Sequence, residues 1–324
     1  TRSSPGNVGR YLMVKSLSIG LFTWLLQITL SILGVIFLCF VFLKTIPGSP
    51  FDEDTPLAPA IKTALEEDWG LNQSALHQSL KFTAAVLQGN WGQSVSRPTQ
   101  SVLEIIQNDI QTTLGLNLAA FILVIFCSFL FTGWSLYVSN PRIESIYRSL
   151  TASLSSLPTF FWAPFLIFVI GDKLGILPSF FDGTMLGYVL PLIAIFMRPW
   201  ASLSWILFDQ WKVSLGSRSI LFARAKGLQR SKIIFSHAFR LSIIPFIQKS
   251  GQIFLQIISG SFVVEILFGF KGLASDLVWA ISTRDSTVVV GIALVYCVMS
   301  LLITQTMEVL SRQLDPRWKA SHEA

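Results

Sequence analysis

One stretch of the sequence, residues 223–245, brings basic, small and helix-breaking residues together as ARAKGLQRSKIIFSHAFRLSIIP. Ala223 and Gly227 share a helical face, whereas Arg224 and Lys226 point elsewhere. A small apolar surface with a basic rim can fit a groove on another protein, but these residues do not supply a catalytic triad. We therefore interpret this stretch, the docking element, as a protein-binding site. A loop that is basic only because it flanks membrane helices is the alternative.

The local sequence predicts two short helices within residues 217–241, separated by a break. Gly227 suits the left-handed conformation that ends a helix, and Ser231 can cap the helix that follows. His237 is expected to hydrogen-bond within the loop rather than to bind a metal, because the other two histidines lie far away in sequence. An apolar face then leads into the next hydrophobic segment, and its members are Ile234, Ala238, Leu241 and Pro245.

Composition places the elements that must position this stretch in a lipid bilayer. The chain is 52% hydrophobic and only 13% charged, with a mean hydropathy of +0.61, whereas about a quarter of the residues are charged in soluble domains. Four uncharged runs reach the roughly 20 residues that a spanning helix needs, and two further runs are shorter between charges. The long runs are residues 16–43, 110–141, 149–171 and 286–307, and the shorter ones are 183–197, which continues past Arg198 to residue 208, and 250–264. The sequence therefore predicts an all-α membrane protein with six transmembrane helices.

The distribution of Lys and Arg predicts the orientation. Basic residues near short loops stay on the cytoplasmic side, and here they precede the first span and follow the second, fourth and last. The region between the first two spans is acidic and falls on the other side. Both termini are therefore expected to be cytoplasmic. This topology explains the net charge of +6, so nucleic-acid binding is not expected.

The predicted layout places a short N-terminal segment and a tail in the cytoplasm. Within the extracytoplasmic insertion a proline cluster disfavours helix at first, and residues 61–69 and 76–87 then have the spacing of short helices at the membrane surface. Cys39, Cys127 and Cys297 fall within spans and are interpreted as packing residues.

The predicted layout of the chain is as follows: residues 1–20 form a cytoplasmic segment, 21–43 the first span, 44–109 the extracytoplasmic insertion, 110–311 a core of five spans with the coupling loop 206–245, and 312–324 a cytoplasmic tail.

Several motifs resemble those of one family, the integral-membrane permeases of binding-protein-dependent ABC importers. Their cytoplasmic loop carries a degenerate Glu-Ala-Ala, three residues, Gly signature, and the dipeptide, oligopeptide and nickel branch commonly shows A-R-A-K-G, then His-Ala, then Pro. The docking element has ARAKG at 223–227, then His237-Ala238 and Pro245. Six further motifs match in order along nearly the whole chain: Ile46-Pro47-Gly48, GNWGQS at 89–94, Leu157-Pro158, FVVEILFGFKGL at 262–273, Arg284-Asp285 and Leu314-Asp315-Pro316-Arg317.

The sequence departs from the family pattern at four positions. Leu221 falls where the family Glu stands, and Lys271 replaces a common Pro. Trp205 and Phe208 stand where peptide permeases often carry Arg. These departures bear on the substrate and the partner more than on the fold.

The resemblance implies the type I ABC importer permease fold in a bacterial cytoplasmic (inner) membrane, with di- or oligopeptides as the substrate. Two permeases form the pathway, and a heterodimer with a sister permease is expected. Two cytoplasmic ABC ATPases dock on the coupling loops, and an extracytoplasmic binding protein delivers the substrate. The chain has no G-x-x-x-x-G-K-[ST] run, so ATP hydrolysis is assigned to the partners, and neither an enzymatic activity nor a cofactor is expected.

The resemblance also implies which residues couple the permease to its ATPase. They are Ala223, Arg224, Lys226, Gly227, His237 and Pro245. Glu265, Arg284 and Asp285 are candidates for the translocation path or an outer gate, because a charge near the membrane interior is costly and often functional. An ion pair that fixes the outer hairpin is the other interpretation of these three residues.

Two alternative functions stay open at this point. A permease of the same fold could carry nickel or another small solute. An ion-coupled secondary transporter would need acidic or His residues inside its spans, and the sequence shows no cluster of this kind.

Overall fold

The computed structural model describes residues 5–51 and 59–314, with the side chains of the first helix from Leu25 onward. Most of the predicted tail, residues 312–324, lies outside this range, as do the first four residues and residues 52–58 of the predicted insertion. Within the described ranges the chain is helical, apart from turns and one isolated β-bridge between Gln93 and Ser101. The predicted all-α class is confirmed.

Twelve α-helices and three short irregular helices make up the described part of the chain. The α-helices are α1 Pro5–Thr45, α2 Pro59–Asp68, α3 Ala75–Leu87, α4 Val102–Val138, α5 Pro141–Ser156, α6 Thr159–Leu166, α7 Val189–Leu215, α8 Arg218–Ala225, α9 Arg230–Lys232, α10 Phe239–Phe268, α11 Leu273–Ser282 and α12 Ser286–Leu314. The irregular ones are π-helical at Ile167–Lys173 and Ile233–Ala238 and 3₁₀-helical at Leu186–Tyr188.

Five helical segments in the described ranges are long and apolar enough to cross a membrane, and a bent pair adds a sixth. The five are Leu25–Thr45, Val102–Val138, Leu186–Leu215, Arg230–Phe268 and Ser286–Leu314. The bent pair joins Pro141–Ser156 to Thr159–Lys173. These segments correspond to the six runs that the hydropathy of the sequence predicts.

The third predicted span is not one continuous helix. The prediction of a single helix over residues 149–171 is wrong, because α5 and α6 meet at an angle of 95°. Pro158 disfavours helical backbone at the residue before it, and Leu157 is extended with a ψ of 127°. Pro158 itself has a ψ of 152°. Since Leu157-Pro158 is one of the family-like motifs, the structure gives that motif a geometric role.

The described residues divide into two compact units, residues 5–51 and 59–108 with 276–301, and residues 109–275 with 302–314. In the second unit α7 packs against α5, α6 and α10. Small residues allow close helix crossings in lipid, and a Cβ added at Gly260 of α10 would lie 2.8 Å from Thr159 of α6. A Cβ at Gly251 would lie 3.4 Å from Thr304 of α12.

The first unit places the two short helices of the predicted insertion beside spans. Both helices are confirmed, as α2 and α3, whereas α4 begins at Val102 rather than at residue 110. α3 packs against α1, where the rings of Phe82 and Phe40 meet edge to face with centroids 6.0 Å apart. Val290 and Leu294 of α12 complete this cluster.

Candidate functional site

Helix α8 ends in a glycine turn at the start of the docking element. Gly227 has a φ of +72°, and its N–H donates to the Arg224 carbonyl at 2.9 Å. The Leu228 N–H donates to the Ala223 carbonyl at 3.3 Å. This pair of bonds is the Schellman arrangement, so the predicted left-handed role of Gly227 is confirmed. An added Cβ would meet no atom within 4 Å, so conformation rather than space selects glycine here.

The next helical segment starts without the serine cap that the sequence predicts. Gln229 occupies the cap position with an extended backbone, and its carbonyl accepts the Ile233 N–H at 3.0 Å. Ser231 lies inside α9, so the prediction for Ser231 is wrong. The glycine turn places the cap position two residues after Gly227, at Gln229, and Ser231 therefore comes too late to cap the helix.

The two faces of α8 have different environments. Ile220 and Ala223 are buried, with 1% and 5% of their surface exposed, and both pack into the core of the second unit. Leu221 and Phe222 are 58% and 70% exposed. The small side chain of Ala223 therefore serves packing within the chain, and the apolar surface that α8 offers outward consists of Leu221 and Phe222. The sequence motifs single out Leu221 only as a departure from the family Glu and do not include Phe222, although both are apolar residues between two positions of the buried face.

A buried tryptophan ties the docking element to α7 and α4. Trp211 is fully buried, and its Nε1–H donates to the Ile234 carbonyl at 3.1 Å, inside the π-helical turn. Its ring stacks on Phe129 of α4 at 5.7 Å and meets Phe239 at 5.0 Å. A Cβ at Gly133 of α4 would lie 2.7 Å from the Phe235 ring and 3.1 Å from Trp211. The docking element is therefore in direct contact with two long helices, α4 and α7.

Charged residues surround the base of α8. Glu144 of α5 pairs with Lys212 of α7, and the side chains of Arg148 and Asp209 pair at 3.4 Å between the same helices. Arg230 donates to the Leu136 carbonyl at 3.1 Å. An open groove of about 640 Å³ lies among these groups, and it is lined in part by Lys212, Arg224 and Arg230. The rim of the docking element is thus basic, as the sequence indicates.

The remaining predicted coupling residues lie along the same segment. Arg224 and Lys226 are exposed. His237 hydrogen-bonds within the loop, as expected, with Nδ1 3.1 Å from the Lys232 carbonyl. Pro245 lies inside α10 and is half-buried. The structure places these residues on one continuous segment, and their contact with a partner stays a prediction.

Glu265 fixes the turn between α10 and α11. Its side chain is fully buried, Oε1 accepts the Thr113 hydroxyl at 3.0 Å, and Oε2 accepts the Ala274 N–H at 3.0 Å. The Thr113 hydroxyl oxygen also accepts the Leu273 N–H at 2.9 Å. These bonds satisfy the first N–H groups of α11, which a helix leaves without internal partners. A Cβ at Gly272 would lie 2.8 Å from both the Glu265 carboxyl carbon and the Thr113 hydroxyl, so only glycine fits.

Asp285 plays a similar role in the first unit, at the start of α12. It is fully buried, and Oδ1 accepts the Thr287 hydroxyl at 2.9 Å and the Val288 N–H at 3.2 Å. Oδ2 accepts the Ser94 hydroxyl at 2.5 Å and the Ser96 N–H at 3.1 Å. One carboxylate therefore caps a helix and holds the loop before α4. Ser94 is the last residue of the GNWGQS motif, so two motifs far apart in sequence meet at this carboxylate.

Arg284 brings a third sequence motif, Ile46-Pro47-Gly48, next to the loop that Asp285 holds. Its guanidinium lies over Gly48, where an added Cβ would stand 2.6 Å from Cζ, and Nη1 donates to the Ser49 carbonyl at 3.4 Å. Gly48 has a φ of +105°, and Arg284 itself has a φ of +57°. Ile46-Pro47-Gly48 and Arg284-Asp285 are therefore in contact. These contacts favour the interpretation in which Arg284 and Asp285 fix a loop over a role in the translocation path. Asp285, however, accepts hydrogen bonds from hydroxyl and amide groups and does not pair with a cation.

Two further interactions hold the loop before α4, a cation–π contact and a helix cap. The guanidinium of Arg97 lies 3.6 Å from the ring centroid of Trp279. Ser101 and Glu104 form a reciprocal capping box, in which the Ser101 N–H donates to Glu104 Oε2 at 3.0 Å and the Glu104 N–H donates to the Ser101 hydroxyl at 3.1 Å. Within the described ranges, His, Cys, Asp and Glu residues form no group of three that would hold a metal ion.

Comparison with known proteins relates this geometry to a family. Residues 130–320 match the family model described as binding-protein-dependent transport system inner membrane component. The dipeptide transport system permease protein DppB of Bacillus subtilis is 27% identical over 289 residues, which cover 89% of this chain and 94% of DppB. The oligopeptide transport system permease protein OppB of Haemophilus influenzae is 26% identical over 299 residues, covering 92% and 98%. OppB of Salmonella typhimurium is 27% identical over 285 residues, covering 87% and 93%.

We predict that Asp285→Asn loosens the loop before α4. The amide nitrogen cannot accept the donors of Ser94 and Ser96, and losing hydrogen bonds to a buried charged group costs about 2 kcal/mol or more. Amide hydrogen exchange of the purified chain in detergent should accelerate in residues 92–101, and the unfolding midpoint should fall.

Asp182→Asn is the matched control. The Asp182 carboxylate also accepts a hydroxyl and an N–H, both from Thr184, at 2.7 and 3.0 Å, but it is exposed. The Asp182→Asn variant should leave the amide hydrogen exchange of residues 92–101 unchanged. Unaltered exchange in Asp285→Asn would show that the buried carboxylate does not hold the loop.

Proposed function

Because the chain belongs to the family of binding-protein-dependent transport system inner membrane components, we propose that it forms part of the path by which di- or oligopeptides enter the cell. In this proposal it is one permease of an ABC importer and pairs with a sister permease. Two cytoplasmic ATPases drive it, and an extracytoplasmic binding protein delivers the peptide. Relatives with near full-length similarity are named for dipeptide and oligopeptide transport, which supports peptides over nickel.

The outward apolar pair of α8 is the observation that carries the coupling role. A surface helix usually turns its apolar side chains inward, but Leu221 and Phe222 are exposed while Ile220 and Ala223 fill the core. Exposed aromatic residues that enter a partner's pocket supply much of the binding energy at protein interfaces. The basic rim around α8 adds charge that selects the partner. We assign Phe222 as the anchor and Leu221 as its neighbour.

The contacts of α8 also support a mechanical role. The helix is short, and its buried face and glycine turn hold it rigidly to the chain. ATP-driven closure of the ATPases would move α8 as one body, and Trp211 would pass that motion to α7 and α4. A ligand or motor shifts an equilibrium between two states only through interactions that differ between them. The proposed difference is the position of the docking element against the spans.

An ion-coupled carrier receives less support from the described residues. Such a carrier needs an acidic side chain that is free to exchange protons or bind ions. Both carboxylate oxygens of Glu265 accept hydrogen bonds from α4 and α11 within the chain. These hydrogen bonds support a structural role for Glu265 over ion exchange.

We expect Phe222→Ala to uncouple the permease from its ATPase. Loss of an interface anchor costs about 2 kcal/mol or more, which corresponds to a roughly thirtyfold weaker complex. The fraction of ATPase that co-purifies with a tagged chain should fall, and peptide uptake should fall with it. The level of the chain in the membrane should not change, because the side chain is exposed.

Phe180→Ala is the matched control for this variant. Phe180 is 61% exposed but lies in the segment before α7, away from the docking element in sequence. Its replacement should leave both ATPase binding and uptake at the normal level. Normal ATPase recovery with Phe222→Ala, or an equal loss in both variants, would contradict the assignment of Phe222.

Two substitutions at Gly227 distinguish the cost of a strained backbone from the effect of a bulky side chain. A non-glycine residue in the left-handed region costs about 1–2 kcal/mol, and Ala and Leu share this cost. Because no atom lies within 4 Å of an added Cβ, the chain itself does not exclude the larger side chain. Gly227→Leu should abolish peptide uptake with normal membrane insertion, and Gly227→Ala should retain a measurable part of it. Equal uptake in the two variants would mean that no partner approaches this position closely.

Trp211→Phe tests the transmission step. Phenylalanine keeps an aromatic ring but removes the donor to the Ile234 carbonyl, which still accepts the Phe239 N–H, so the loss is about 0.5–1.5 kcal/mol. The ATPase should still co-purify, while the number of peptides transported per ATP hydrolysed should decrease. Trp205→Phe is the control, since Trp205 lies on the same helix but is 39% exposed. An unchanged ratio in Trp211→Phe would show that this hydrogen bond transmits no motion.

A further inference from the structure

Helix α3 carries a stripe of exposed leucines that the proposed function does not use. Leu76, Leu80 and Leu87 are 58%, 60% and 83% exposed. At 3.6 residues per turn they fall within an arc of about 40° on the helix. Three aligned leucines on one short helix form an apolar surface that is unfavourable in water.

The adjacent face of α3 is packed against two spans. Phe82 is buried against Phe40 of α1, and Ala75 and Val86 join the same cluster. Val290 of α12 lies in this cluster as well. Helix α3 therefore has two apolar faces. The face with Phe82 packs against the spans, and the leucine stripe is the exposed one.

The packing partners set the depth of α3 along the first span. Phe40 lies five residues before the end of α1 at Thr45, which is about 7.5 Å along the helix axis. Ile36, also in the cluster, lies about 13.5 Å from that end. Lys44 marks the polar boundary of the span and donates to the Gln73 carbonyl just before α3 begins. α3 therefore lies beside the last turns of an apolar span and not beyond its end.

The outward side chains of α1 at the same level are also apolar. Leu38 is 63% exposed and Phe42 is 57% exposed, both within the spanning segment Leu25–Thr45. Because Phe82 of α3 packs against Phe40 in this part of α1, the leucine stripe lies on a helix next to this surface, and we take the two together as one apolar zone. An apolar zone of this kind at the end of a span is suited to acyl chains.

The third face of α3 is polar. His77 and Lys81 of α3 and its C-cap residue Gln88 are exposed, and they share an arc of about 40° between the leucines and the Phe82 side. An apolar stripe beside a polar face that carries a lysine fits a helix that lies in a membrane interface. The stem of Lys81 can cover apolar surface while its ammonium group reaches lipid phosphates.

We propose that the leucine stripe is seated in the bilayer, so that α3 is an interfacial helix whose partner is lipid. Continuity with the outward apolar side chains of α1 favours lipid over a protein partner. The stripe also lacks the Trp, Tyr and Arg residues that dominate protein interfaces. With α3 held in the interface and Asp285 holding Ser94 and Ser96, the segment from residue 75 to residue 96 is anchored at both ends.

The test places a polarity-sensitive fluorophore on single cysteines in the intact transporter. Cys39, Cys127 and Cys297 are first replaced by Ala, and the complex is reconstituted in vesicles of phosphatidylcholine and phosphatidylglycerol with or without brominated acyl chains. Labels at positions 76, 80 and 87 should emit at shorter wavelength and be quenched several-fold more strongly by the brominated lipid than labels at 77 and 81. A label at 38 of α1 provides the reference for lipid contact.

Alkylation of the same single cysteines by a membrane-impermeant maleimide gives a second readout that needs no bulky probe. Modification at 80 should be several-fold slower than at 81. Equal rates, or a label at 80 that is no better quenched than one at 81, would overturn the proposal. It would equally fail if position 80 became protected only when an extracytoplasmic binding protein is added, because the occupant would then be protein. None of these results depends on whether the transporter carries peptides.

Discussion

A carbonyl oxygen can accept two hydrogen bonds, and the position of the docking element depends on one carbonyl that accepts two. In the π-helical turn Ile233–Ala238 the Ile234 carbonyl accepts the Phe239 N–H, and it also accepts the indole of Trp211 from α7. A regular α-helix at this position would place the carbonyls differently, since π-helical turns are wider. The docking element is consequently tied to α7 by a directional bond as well as by packing. Without that bond, the aromatic rings around it could slide, because stacking contacts are weakly directional.

The buried carboxylates show a second way in which this chain orders its irregular segments. Glu265 and Asp285 each satisfy the first N–H groups of a following helix and also bind a hydroxyl from a distant part of their own unit. A buried carboxylate is costly unless hydrogen bonds compensate it. In both places backbone or hydroxyl donors supply this compensation. The motifs around them are therefore explained by turn geometry: glycine at 272 leaves room for Glu265, and glycine at 48 leaves room for Arg284.

The sequence predicted features that rest on local chemistry. The left-handed role of Gly227, the helices α2 and α3, and the six apolar segments follow from residue type and spacing, and the structure confirms them. The 95° bend has a local cause too, but its size depends on how α5 and α6 each pack on α7. The wrong cap at Ser231 shows the reach of a neighbouring turn, because Gly227 fixes where the next helix starts.

Which face of α8 is buried could not be read from its own sequence. Ile220 and Leu221 are both large and aliphatic, yet one is 1% exposed and the other 58%. The choice is made by the core of the second unit, which includes residues from helices distant in sequence. The same limit applies to Ala223, which is 5% exposed and packs into this core, while its contact with a partner stays a prediction.

Because α8 is short, it depends on several interactions with the rest of the chain to stay folded. Eight residues are too few for a helix to be stable alone, since isolated helices shorter than about 12 residues are marginal in water. Its order must come from the burial of Ile220 and Ala223 and from the glycine turn that closes its end. A helix held in this way moves only with the core to which it is attached. Force applied to the exposed pair Leu221 and Phe222 would then reach the spans with little lost in local bending.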